Sequence, residues 1–86
     1  MPDYKCIPIK AITESASREA MKLGLNFNDI ERMLSESYDC LKNKRKEGIE
    51  ERCVRIDNGI LKIVIEFRVS KSGYEYWRVR QIGFVR

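Results

Sequence analysis

IEERCVRIDNGILKIVIEFRV, residues 49–69, sets the architecture of this 86-residue chain. In its second half Leu61, Ile63, Ile65, Phe67 and Val69 alternate with Lys62, Val64, Glu66 and Arg68, a period of two that belongs to a strand with one apolar face. Ile63 and Ile65 therefore mark the centre of the core, where truncation to alanine costs about 2–5 kcal/mol. Ile49–Asn58 has the same character, and Asn58-Gly59 between the two runs predicts a tight hairpin, because both residues tolerate positive φ. Lys71-Ser72-Gly73 supplies a second turn, and Gly73–Val85 a third run. The outcome is a three-stranded antiparallel meander.

Upstream the period changes to that of helices. Thr13 or Ser15 is placed to cap a short first helix in which Ile12, Ala16, Ala20 and Leu23 recur at helical spacing, and Gly24 is placed to end it in a left-handed conformation. Asn26 is placed to cap a second helix with Phe27, Ile30, Met33, Leu34, Tyr38 and Leu41 along one stripe. Residues 4–12, with Pro8, suit an edge strand or an extended lead-in. Helices followed by strands make an α+β fold in a single domain, residues 1–86.

The apolar fraction of 43% and charged fraction of 35% suit a globular chain. No run approaches the ~20 apolar residues of a membrane span, and MPDYKCIPIK lacks the apolar stretch of a secretory signal, so the expected compartment is the cytoplasm. Cys6, Cys40 and Cys53 are widely spaced, and the chain has no histidine; they are expected as free thiols, with no metal and no cofactor. The net charge of +4 is unevenly spread. Residues 1–40 hold five Lys/Arg against seven Asp/Glu, −2, and residues 41–86 hold twelve against six, +6. Such a basic half steers a polyanion or an acidic partner towards it.

Two elements concentrate that charge. Lys42, Lys44, Arg45 and Lys46 lie in a polar connection suited to a phosphate backbone. In YEYWRVRQIGFVR, residues 74–86, a regular strand puts Tyr74, Tyr76, Arg78, Arg80, Ile82, Phe84 and Arg86 on one face and Trp77, Val79, Gln81, Gly83 and Val85 on the other. Arginines beside aromatics can neutralise phosphates and stack on bases. The same row also reads as a solvated face whose charge is absorbed by Glu66 or Glu51 across the sheet. A third reading makes Trp77, Tyr76 and Phe84 the apolar contact of a protein-interaction or homodimer surface. Without histidine, general acid/base work falls to Lys, Arg, Tyr or carboxylates. RNA cleavage without a metal would take a basic or tyrosine side chain for the 2′-OH proton and arginines for the phosphorane.

The order of two short helices and a meander is similar to the RelE/ParE superfamily of small toxins, and TESASREAMKLGLNFNDIERML, residues 13–34, looks most like its BrnT-like branch and related small domains. There a helix starting near a Thr-x-His-Ala signature runs to an Arg-Gly-Ile-Ser junction; Thr13, Ala16, Gly24, Leu25 and Asn26 fit that frame, Asn26 in place of the serine cap. Ser15 stands where the family often has His, Glu19 where Arg is frequent and Leu23 where another Arg precedes the glycine, each change removing a group that could serve RNA cleavage. The resemblance implies a RelE-like fold, binding and cleavage of RNA, commonly at the ribosome, and an antitoxin partner. It makes Arg78, Arg80 and Tyr76 the expected catalytic positions, with Lys42, Lys44, Arg45, Lys46, Tyr74 and Arg86 as RNA contacts.

Overall fold

In the computed structural model, which describes residues 8–40, 48–57 and 59–85, the elements run β1 (Ile9–Ile12), α1 (Glu14–Lys22), α2 (Phe27–Ser35), β2 (Tyr38–Asp39), β3 (Ile49–Ile56), β4 (Gly59–Val69) and β5 (Glu75–Phe84). The helix ends follow the side chains that cap them. Thr13 Oγ1 accepts from the Ala16 N–H at 3.3 Å, so Thr13 rather than Ser15 is the first cap. Gly24, at φ 73°, closes α1 with the Gly24 N–H on the Met21 carbonyl at 3.1 Å and the Leu25 N–H on the Ala20 carbonyl at 2.9 Å. Asn26 and Asp29 form a reciprocal capping box at 2.8 and 3.0 Å.

The sheet is mixed and five-stranded, in the order β1-β5-β4-β3-β2, and this corrects the expectation of a three-stranded antiparallel meander. The meander is present as β3-β4-β5, but β1 adds to β5 in parallel, since the helix pair carries the chain from one edge of the sheet to the other. Ala16 and Ala20 of α1, with Ile30, Met33 and Leu34 of α2, cover one sheet face and bury Val54, Leu61, Ile63, Ile65, Trp77, Val79 and Ile82. Trp77 is fully buried, edge-on to Phe67 at 5.6 Å between ring centroids. It therefore offers nothing to a partner, which removes the anchor from the interaction reading.

Four further expectations change. The second helix stops at Ser35 and Tyr38 joins β2, because the hydroxyls of Ser35 and Ser37 bond the carbonyls of Arg32 and Leu34, at 2.6 and 2.7 Å, in competition with helix continuation. Leu41 of the expected stripe lies outside the described residues. Gly59 belongs to β4 and not to the expected Asn58-Gly59 turn: it pairs with Ile56 and opens the strand at φ 136°, while Asn58 lies outside the described residues. In β5, Ile65 pairs with Val79 and Val64 with Gln81, leaving Arg80 as an extra, bulged residue. Side-chain parity inverts there, so Ile82, 3% exposed, joins Trp77 and Val79 against the helices while Gln81 turns outward.

The fourth correction is covalent. Cys40 and Cys53, expected as free thiols, form a disulfide, with Cα atoms 5.3 Å apart. The pairing of Tyr38 with Cys53 brings Cys40, two residues on, onto the same face and within bridging reach. Cys6 lies outside the described residues. Among the described residues no helix is long and apolar enough to cross a membrane.

Candidate nucleic-acid interface

Directly opposed residues of an antiparallel pair share a face, so the register fixes the face turned away from the helices. Glu51, Cys53 and Arg55 of β3 lie there, with Ile60, Lys62, Val64, Glu66 and Arg68 of β4 and Tyr76, Arg78 and Gln81 of β5. Four cations against two carboxylates leave this face net positive by two. Val64 sits at its centre, 1% exposed, framed by Glu51 and Gln81 across the strands and by Lys62 and Glu66 along its own.

Two of the cations are held by the carboxylates. Arg78 binds the Glu66 opposite it, its Nε donating to Oε1 at 2.6 Å, and the Lys62 ammonium lies 3.8 Å from Glu51. Glu66 therefore absorbs charge from Arg78 as one sequence reading anticipated. Arg68 is exposed, stands opposite Tyr76 and forms no ion pair among the described residues. With the exposed Arg55 on β3 it keeps its charge on offer, and it is the one that stands beside the aromatic ring of Tyr76; sequence reasoning missed it. The signal was present in the run Lys62, Val64, Glu66, Arg68, whose polar members share the side away from Ile63 and Ile65.

The structure divides the expected catalytic group. Tyr76 and Arg78 share the face away from the helices, whereas Arg80 is exposed at the bulge and lines a groove of about 420 Å³ with Ser15, Glu19 and Gln81. The two α1 residues are one turn apart, which puts both on the side of the helix facing β5. The Arg80 carbonyl accepts from Thr13 Oγ1 at 3.1 Å, so the bulge is tied to the cap of α1. Tyr74 also leaves the expected row. It precedes β5, in the turn after β4, where its N–H bonds Ser70 Oγ at 3.0 Å and its side chain is exposed. A turn residue does not follow strand parity. Lys42, Lys44, Arg45, Lys46 and Arg86 lie outside the described residues. No family model, curated protein or solved structure matches the chain.

Proposed function

We propose that the protein binds single-stranded RNA along the sheet face turned away from its helices, on a scaffold of RelE-like design. The observation that carries this reading is the grouping of Lys62, Arg68 and Arg78 with Tyr76 on that face, while the helix pair occupies the other. Cations on adjacent strands neutralise phosphates, and an aromatic ring among them gives a base something to stack on. Binding is favoured over cleavage because Arg80 stands in the groove beside α1 and not with Tyr76 and Arg78. A toxin with an antitoxin partner is the catalytic form of the same reading. It expects metal-independent cleavage of RNA by the pure protein and growth arrest on expression; clean expression with intact RNA counts against it.

The test is fluorescence anisotropy with a labelled ten-nucleotide RNA across a salt series. Each phosphate contact adds about −0.7 to the slope of log K against log salt. Arg68→Ala is expected to remove about that much. Glu66→Gln, by releasing Arg78, is expected to tighten binding and steepen the slope. Affinity that ignores salt, or that is unchanged in both variants, overturns the proposal.

A further inference from the structure

The cationic face ends in a second feature, a cleft of about 190 Å³ lined by Tyr38, Cys40, Glu51, Cys53, Ile60, Lys62 and Val85. Its walls are mainly apolar: the Cys40–Cys53 disulfide, the side chains of Ile60 and Val85, and the ring of Tyr38, which is 45% exposed although it belongs to a strand. One border is polar, formed by the Lys62–Glu51 ion pair. Lys62 belongs to both the cleft and the cationic face, so the two are continuous.

We infer that this cleft is a slot for one unstacked base of the bound RNA; the inference rests on the RNA-binding reading above. A nucleobase has two apolar faces and a rim of hydrogen-bond donors and acceptors, and this cleft has apolar walls with an ammonium and a carboxylate along one side. An aliphatic side chain of a protein partner would leave that ion pair unused. From Lys62 to Arg68 the strand spans six residues, about 20 Å, enough for a few nucleotides to run along β4 with phosphates at the arginines and one base turned into the slot. Tyr38 supplies the stacking surface.

The test uses the oxidised full chain, a labelled ten-nucleotide RNA, and the same RNA with one position at a time made abasic. Tyr38→Leu is expected to weaken binding of the intact RNA roughly 5- to 150-fold, the range of one base stacked on an aromatic ring, with an unchanged salt slope. Tyr38→Phe is expected to retain the affinity, which also shows that the fold tolerates change at this position. Wild-type protein is expected to be penalised at one abasic position at least, and the penalty to vanish in Tyr38→Leu. If Tyr38→Leu binds as wild type does, or the abasic penalty persists in it, the slot is wrong while salt-dependent binding through Arg68 stands. If the wild type binds no RNA, both readings fall.

Discussion

Arg52 shows how one side chain can be read wrongly from composition. It is counted with the basic half of the chain, yet it lies on the helix side of the sheet, 6% exposed. Its Nε donates to Ser37 Oγ at 3.0 Å and a terminal nitrogen to the Ser37 carbonyl at 2.9 Å, with Glu50 4.0 Å away. It is a clamp on the turn that ends α2. Arg52→Ala is expected to cost about 3 kcal/mol in urea unfolding, since it strands buried partners of a charged donor. Parity explains why this was half legible: Arg52 pairs with Ile63, whose inward orientation the sequence does give, but nothing local says that a guanidinium will be accepted there. Trp77 is the converse case. Period two separated it from the arginine row, and the structure buries it completely, although its indole Nε1 has no hydrogen-bond partner among the described residues, a penalty that sequence pattern does not display.

Among the elements, β3, β4, β5 and both helices were legible because each carries its own period and caps. The shortest one was not. Two residues of β2 have no period, and Tyr38 fits the stripe of α2 as well as it fits a strand; its assignment is made by Ser37, Arg52 and the pairing with Cys53. The disulfide was hidden for the same reason, as it depends on that pairing and not on cysteine spacing. Closing a segment between residues 13 apart in sequence, it restricts the unfolded chain by about 3 kcal/mol. Cys40→Ser with Cys53→Ser is expected to lose about that much stability in urea, with a larger dependence on denaturant because the unfolded chain becomes less compact. An unchanged midpoint would show that the link contributes nothing. The bond also forms one wall of the proposed base slot, so the same variant pair probes RNA affinity.

At the scale of the molecule, the split in charge seen along the chain becomes a split between layers. The helices come from the acidic residues 1–40, and β3, β4 and β5 from the basic residues 41–86. An approaching polyanion is steered towards the sheet side, which agrees with the side on which Arg68 stands. This polarity was readable without a structure. Its division into a paired arginine at 78, an unpaired one at 68 and a displaced one at 80 was not, because ion pairing and the bulge both depend on register.

The bulge makes Arg80 removable. Taking it out joins Val79 directly to Gln81, and their partners Ile65 and Val64 are already adjacent, so the ladder closes into an uninterrupted strand with every other side chain on its present face. The hydrogen bond from Thr13, the cap of α1, to the Arg80 carbonyl accounts for about 1 kcal/mol. A chain lacking Arg80 is expected to unfold within roughly that margin of the parent. A chain lacking Arg78 instead would slide Arg80 to the inward position opposite Ile65, where an unpaired charge is not tolerated, and is expected not to fold, as judged by loss of the buried Trp77 emission. Deletion thus behaves here as a finer instrument than substitution, lifting out a side chain with its piece of backbone and leaving the register intact.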